Sequence, residues 1–363
     1  MCETLDTRII HPQLTPNLYK ILTEQITFDN YYVPVYQQGA TLNSEFMAQV
    51  GMLPVTDVGY RADFGYYYGQ NDFSAYSLPG QLKNFGYNTY YFINNPGISY
   101  NRNILMPNYG FETAKFLEDL QTAGLPASRN DRDIMGFFDT YVDFGQRFFV
   151  AVSTMSMHGG DDKKSGPDVD FVKGLFPGLD AAVVSYFVKA MEFDNFIGLL
   201  LDRLEAEGVS DNTLIVFYPD HYNYEERKLY EYLDIDIFDK SVVHRQTLMM
   251  YAGGAGKALI EDYMRDKAFV GSTIDIAPTV LNLLTGGGDY TYFTGSDIFD
   301  RKSIVFFPDL TVTDGYNWLT VDGKYTGADG GREKLEADFL NLLKIYDYQR
   351  ALFSLNYFNA SFV

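Results

Sequence analysis

The 363-residue sequence predicts an α/β fold, with helices over both faces of a mainly parallel sheet, and three observations carry that prediction. A long helix from about Asp180 to Glu207 places Val184, Phe187, Met191, Phe196, Leu200 and Leu204 at spacings near three and four, and Gly208 closes it. Within a few residues Leu214-Ile215-Val216-Phe217 forms a short continuous apolar run, rich in branched and aromatic side chains, which reads as a strand buried on both faces. This helix-loop-strand order is the unit that builds a parallel sheet. Third, the run ends abruptly in Pro219-Asp220-His221, past the carboxyl end of a strand, where open α/β sheets bind ligands. On the residues alone, Asp220 and His221 stand equally as a site or as a strand-end turn with a solvated Asp and a satisfied His.

The composition narrows the function classes. With 48 acidic and 28 basic residues the formal charge is −20, which disfavours nucleic acid as a partner and repels anionic membrane surfaces. At this length one large domain with a small appendage is favoured, with residues 1–300 as the catalytic domain and 301–363 as the appendage. The 30 Tyr and 29 Phe exceed the needs of a core, so much of the Tyr is expected in loops and clefts. The single cysteine, Cys2, rules out an internal disulfide framework. No stretch reaches the ~18 or more apolar residues of a membrane span. Met1-Cys2-Glu3 opens directly on functional-looking residues, so a fragment lacking its first strand is expected.

Thr15-Pro16 marks a helix start, running to about Glu24. Ile26 to Tyr36 reads as extended. A Gly-bearing turn, Gln37-Gln38-Gly39, then leads into a helix over Leu42 to Val50. Thr41 falls at its N-terminus, where free amides and the dipole favour an anion, although an N-cap is the commoner job for such a threonine. Tyr60 to Tyr76 reads as a surface loop. A helix ends over Gln81 to Phe85, Gly86 stops it, and Asn88 to Ile93 is a strand. Arg102 stands in the loop beyond, as a phosphate-suited fork or as an ordinary surface Arg.

Arg147 to Ser153 is another strand, delivering Ser156 and His158 to the same rim, and Gly159 to Gly174 reads as a loop. Gln246 to Tyr251 is a strand ending in Gly253-Gly254, and Ser272 caps a helix over Thr273 to Leu284. From Lys302 onward, short strands and a helix from about Arg332 form a small hairpin-plus-helix subdomain, with Trp318 as its anchor. His11, His244 and Cys2 are read as structural, and Asp275 as a helix-start carboxylate.

Asp220, His221, Thr41, Arg102 and His158 thus sit at strand-end loops, and Glu3 joins them at the chain's opening. Carboxylates, an imidazole and a hydroxyl make a ligand set suited to Mn²⁺, Mg²⁺ or Zn²⁺. A divalent cation can lower a threonine hydroxyl's pKa enough for attack on phosphorus.

Glu192-Phe193-Asp194-Asn195, Asp211-Asn212-Thr213, Asp220-His221, Gly271 to Thr279 and Gly295-Ser296-Asp297 resemble the signatures of the alkaline phosphatase and sulfatase superfamily. Gln38 to Phe46 and Tyr100-Asn101-Arg102-Asn103 are most similar to the extracellular catalytic domain of lipoteichoic acid synthases. The resemblance implies a three-layer αβα sandwich. It implies that Glu3, Thr41, Asp220 and His221 bind one Mn²⁺, with Mg²⁺ or Zn²⁺ as alternatives. Thr41 would be the nucleophile, and Arg102 and His158, with Tyr100, would hold glycerol phosphate. The reaction implied moves the phosphatidylglycerol headgroup to a glycolipid or polyglycerolphosphate acceptor through a phosphothreonine intermediate. The implied location is the outer face of the cell membrane, reached through a preceding amino-terminal part. The chain departs from the family pattern at Ala40, Ile93, Asn95 and Tyr100, and at Pro219 and Tyr222 around the Asp-His pair.

Other readings stand beside it: a phosphodiesterase, a phosphoethanolamine transferase, or a non-catalytic member that binds a polyanion or headgroup. A formylglycine sulfatase is disfavoured, because Thr41-Leu42-Asn43-Ser44-Glu45 lacks the required Cys or Ser followed by Pro and Arg.

Overall fold

In a computed structural model the described residues are 1–36, 40–54, 69–159, 162–224, 226–264, 269–300 and 304–359. The turn at Gln37–Gly39, residues 60–68 of the Tyr-rich loop, Gly160 and Lys302 lie outside them.

Seven short strands make the main sheet: β1 (Ile26–Tyr32), β2 (Asn88–Ile93), β3 (Thr113–Lys115), β4 (Phe148–Ser153), β5 (Leu214–Phe217), β6 (Arg245–Ala252) and β7 (Gly271–Ser272). They form two ladders, β3-β2-β4 and β5-β6-β1-β7. The first two residues join the ladders. The amino group of Met1 donates to the Val152 carbonyl at 2.8 Å, and the Thr154 N–H donates to the Met1 carbonyl at 3.2 Å. On the other side the Cys2 N–H donates to the Tyr218 carbonyl at 2.8 Å, and Cys2 bridges Pro219 in parallel. The order is therefore β3-β2-β4-(Met1–Cys2)-β5-β6-β1-β7. β6 alone runs against its neighbours, so the sheet is mainly parallel, as expected.

Side chains alternate between two helical layers, as the period of a strand requires. Phe148, Val150 and Val152 of β4 pack into the cluster that includes Phe187, Phe193 and Leu200. Phe149 and Ala151 face the other way, against the cluster of Leu42, Phe46 and Tyr91. Four helices matter for the site: α1 (Pro16–Glu24), α2 (Ala40–Val50), α3 (Arg102–Asn108) and α4 (Ala181–Ala206). The Asp180 carboxylate caps α4 by accepting from the Ala182 N–H, and Gly208, at φ +70°, turns the chain out of it without a Cβ clash. Val184, Phe187, Phe196, Leu200 and Leu204 are buried along α4 as the spacing predicts, each contributing about 1.5–3 kcal/mol.

Three local expectations change. The loop expected over 159–174 contains a helix, Pro167–Leu175, with Pro in its first turn, Asp168 and Asp170 near its N-terminus, and Val169 and Val172 buried. A second helix, Gly254–Met264, begins where Gly253-Gly254 reads as a strand end. β5 is not buried along its whole length: Phe217 is, but Leu214, Ile215 and Val216 are half-buried, because among the described residues one edge of β5 has no neighbour until Cys2.

The small C-terminal subdomain is an antiparallel sheet, β8 (Val305–Phe306), β9 (Val312–Thr313), β10 (Trp318–Leu319) and β11 (Tyr325–Thr326), followed by α5 (Gly331–Ser354). Phe306, Val312, Leu319 and Leu335 pack against Tyr36, Met47 and Leu53. Trp318 meets the rings of Tyr32 and Phe307 at 5.7 and 5.6 Å, the anchoring role expected of it.

Candidate metal centre

Glu3 ends the Met1–Cys2 ladder, and Asp220 with His221 follows β5, so two neighbouring strand ends deliver three ligand-type groups. All three are buried, and one ligand atom of each lies within 4.8 Å of the others. Thr41 is the second residue of α2, and its hydroxyl donates to Oε2 of Glu3 at 3.3 Å. The Ser44 hydroxyl, one turn on, donates to the Asp220 carbonyl and fastens α2 to the loop after β5.

Burial, and then the adjacent Asp220 carboxylate, push Glu3 well above the ordinary carboxylate range, while the Thr4 hydroxyl and Arg102 pull the other way. Nδ1 of His221 lies 2.9 Å from the Tyr222 carbonyl, which can only accept, so Nδ1 carries a hydrogen. In the neutral ring Nε2 is then a lone pair, 3.1 Å from Oδ2 of Asp220 and 3.7 Å from Oε1 of Glu3. Three ligand-type atoms facing one another in a buried space favour a positive charge among them. Asp220 supplies the sharpest sign of it. Its Oδ1 accepts from the N–H groups of Thr4 and His221, at 2.8 and 3.0 Å, yet the buried Oδ2 accepts no hydrogen bond. The orphaned oxygen, an imidazole oriented by a carbonyl, and the mixed N and O donors fit a divalent cation such as Mn²⁺, Mg²⁺ or Zn²⁺.

Arg102 begins α3 beyond β2 and is 2% exposed. Its Nε donates to both Glu45 oxygens, at 3.1 and 2.9 Å, and Nη1 reaches the Ser99 carbonyl at 3.4 Å. Burial opposes its charge, but Glu45, Tyr91 and Glu3 more than offset that and hold the guanidinium above its ordinary value. Nη2 makes no hydrogen bond among the described residues. The Tyr100 ring lies under the guanidinium, 5.0 Å from Cζ, and Tyr100 and Asn101 take left-handed φ values of +57° and +53°. Glu45, on the face of α2 one turn after Thr41, also accepts from the hydroxyls of Tyr91 at 2.7 Å and Ser153 at 2.6 Å.

Sequence reasoning missed this Glu45-Tyr91-Ser153 cradle. The i,i+4 spacing of Thr41 and Glu45 was its one readable sign. His158 lies exposed beyond β4, with Nδ1 3.0 Å from the Gly159 carbonyl. Its own carbonyl accepts from Lys189 at 3.1 Å. Ser156 plays a structural part, accepting from the Asp131 N–H. Ala40 and Ile93 are buried, and Asn95 accepts from Arg129.

A cavity of about 850 Å³ lies between β4 and β5, lined mainly by apolar side chains; it touches Glu45, Tyr91 and Ser153 but none of Glu3, Asp220 and His221. The convergence of ligand atoms locates the chemistry better than cavity size does.

Comparison with known proteins gives the family and the fold. The Sulfatase family model matches residues 7–287, a stretch that begins just after Glu3 and contains Thr41, Arg102, His158, Asp220 and His221. Lipoteichoic acid synthase 2 of Bacillus subtilis (strain 168) is 26% identical over 352 residues, covering 92% of this chain and 51% of that protein. The chain thus spans about half the length of the curated relatives it matches. The lipoteichoic acid synthase LtaP from Listeria monocytogenes superposes with a TM-score of 0.70 at 18% identity, covering 98% of this chain and 91% of that one. The phosphoglycerol transferase GacH of Streptococcus pyogenes, in complex with sn-glycerol-1-phosphate, superposes with a TM-score of 0.55 at 13% identity, over 96% and 84% of the two chains. At these identities the two superpositions speak for the fold alone.

Proposed function

Because the chain belongs to the Sulfatase family, we propose that it is a metal-dependent phosphoglycerol transferase with Thr41 as its nucleophile. The observation that carries the reading is the placement of the Thr41 hydroxyl on Glu3, inside the buried group of Glu3, Asp220 and His221. Those three side chains and Oγ1 of Thr41 would hold one cation, Mn²⁺ by the family resemblance. When bound, such a cation supplies Lewis acidity and makes a hydroxyl more nucleophilic.

The chain's own groups account for the rest. Glu3 Oε2 accepts the hydroxyl proton, and Oγ1 of Thr41 attacks phosphorus. The bond from phosphorus to the diacylglycerol oxygen breaks, and that oxygen takes a proton from solvent. An acceptor hydroxyl then attacks the phosphothreonine and loses its proton to solvent, the bond from phosphorus to Oγ1 of Thr41 breaks, and Glu3 returns the proton to Thr41. Arg102, with Nη2 uncommitted, and the exposed His158 bind the phosphate oxygens and glycerol, and Glu45 keeps the guanidinium aimed. Tyr100 closes one side of that pocket. The donor is the headgroup of phosphatidylglycerol, and the acceptor is a glycolipid or a growing glycerolphosphate polymer. No helix among the described residues is long and apolar enough to cross a membrane.

The test is release of the headgroup from fluorescent phosphatidylglycerol, with Mn²⁺ present or chelated, for the wild type and Thr41→Ala. Metal-dependent release that vanishes in the variant is expected. Release undiminished by Thr41→Ala removes the mechanism.

A further inference from the structure

Three large apolar side chains stand exposed where the chain leads into Arg102 and out of it: Ile98 at 75%, Tyr100 at 46% and Ile104 at 49%. Single exposed apolar residues are ordinary, but three between positions 98 and 104, flanking a buried phosphate-suited guanidinium, form a patch beside the candidate site. Their support is stiff. Leu105 and Met106 anchor α3 in the core cluster of Phe46 and Tyr91. The Gly97 carbonyl accepts from the Asn103 N–H at 3.0 Å, and the Ile98 carbonyl accepts from the Asn101 N–H at 2.9 Å. The Gly97 N–H donates to Oε1 of Glu118 at 3.0 Å, so the fold itself holds the patch outward.

The charge of this segment sets it apart. The chain holds 48 acidic residues among 363, yet none falls between Asp72 and Glu112. Arg102 is paired with Glu45. Two groups of opposite charge reach the loop from elsewhere, Glu118 on the Gly97 N–H and Arg129 on Asn95, and they offset each other. An anionic surface that the molecule repels as a whole, at −20, meets a neutral face here.

On the transferase reading, Arg102 holds the phosphate of a lipid whose diacylglycerol begins at an oxygen of that same phosphate. Every methylene of the two chains adds to the cost of leaving the bilayer, so lifting the whole lipid into water is prohibitive. The guanidinium must then meet the headgroup at the bilayer surface, and the residues two positions before and after it, Tyr100 and Ile104, meet the same surface. A protein partner fits less well, since a stable protein interface takes about 20–30 residues a side and this patch offers three large apolar ones.

We propose that Ile98, Tyr100 and Ile104 form a docking surface for a phospholipid bilayer. Ile98 and Ile104 insert among the outer acyl segments, and Tyr100, with an apolar ring and a polar hydroxyl, lies at headgroup depth against Arg102, whose Cζ is 5.0 Å from the ring. The docking surface rests on the transferase reading and adds to it how the site reaches a substrate that stays in its bilayer.

The experiment measures headgroup release, with Mn²⁺ present, from phosphatidylglycerol vesicles and from dihexanoyl phosphatidylglycerol dispersed as single molecules. It compares the 363-residue chain with its Ile98→Ser, Ile104→Ser double variant. The substitutions are expected to lower release from vesicles at least about tenfold and to leave release from the dispersed lipid within about twofold. Unchanged release from vesicles, or an equal loss on both lipids, overturns the proposal. Flotation with the same vesicles reads docking without turnover: the wild type rises with the lipid and the variant stays behind. If the wild type cleaves neither lipid, the transferase reading fails and flotation alone decides. No flotation of the wild type, or equal flotation of the two proteins, overturns the docking surface. So does a wild-type dimer that the two substitutions dissociate in sedimentation, since the patch is then covered by a second copy.

Discussion

Replacing Glu45 with alanine removes the carboxylate that pairs with buried Arg102, and the structure fixes the scale of the damage. Both side chains are 2% exposed, so solvent cannot take over the lost interaction. The guanidinium loses both Nε hydrogen bonds, and the hydroxyls of Tyr91 and Ser153 lose an acceptor at 2.7 and 2.6 Å. Breaking a buried ion pair by deleting one partner costs roughly 3–5 kcal/mol, a large part of the 5–15 kcal/mol by which proteins are usually stable. Urea unfolding of the wild type and Glu45→Ala measures it: the midpoint falls while the slope stays constant. Combining Glu45→Leu with Arg102→Met should recover much of the loss, because no uncompensated charge is left in the core. A loss for Glu45→Ala below about 1 kcal/mol would refute the claim that Glu45 anchors Arg102.

Three further predictions concern charge. His244 is held down to about 4, chiefly by burial, with Nδ1 2.9 Å from the Val33 carbonyl. A depressed folded pKa means that stability is full above the unfolded value near 6.5 and is lost as pH falls toward 4, so His244→Gln should flatten the unfolding midpoint across that window. Asp275 is pushed up to about 7 by burial, although it accepts from the N–H groups of Ser272 and Ser296. Its folded pKa is raised, so its contribution is full below about 4 and declines as pH rises to 7; Asp275→Asn should remove that decline in the same unfolding assay. Finally, Mn²⁺ at a hundred times its dissociation constant should add about 2.7 kcal/mol to wild-type stability and nothing to Asp220→Asn, as read by denaturation with and without chelator. Equal stabilisation of the two proteins would place the cation elsewhere.

The residues announce part of this molecule and conceal part. The strand at Leu214 to Phe217 and the sudden polarity of Asp220-His221 are local patterns, and so is the helix that begins at Thr41; each is readable because a few adjacent residues decide it. The reversal of β6 is not readable, since an apolar run carries no direction and only its partners on both sides set it. The helix over Pro167–Leu175 hides behind Gly, Asp and Lys, because, of its residues, Val169 and Val172 alone are fully buried. Glu3 has no local pattern at all. It joins the expected ligand set only as a carboxylate at the chain's opening, and space alone brings it to Asp220 across some two hundred residues of chain. The clasp of Glu45 on Arg102 is concealed for the same reason, joining α2 to the start of α3 through side chains that each look ordinary in isolation.

The most direct test is intact and peptide mass spectrometry of the wild-type chain, quenched during incubation with phosphatidylglycerol and Mn²⁺. A glycerol phosphoryl group on Thr41, absent in Thr41→Ala and in the chelated sample, is the predicted result. Turnover with an unmodified Thr41, or the group on another residue, would contradict the account.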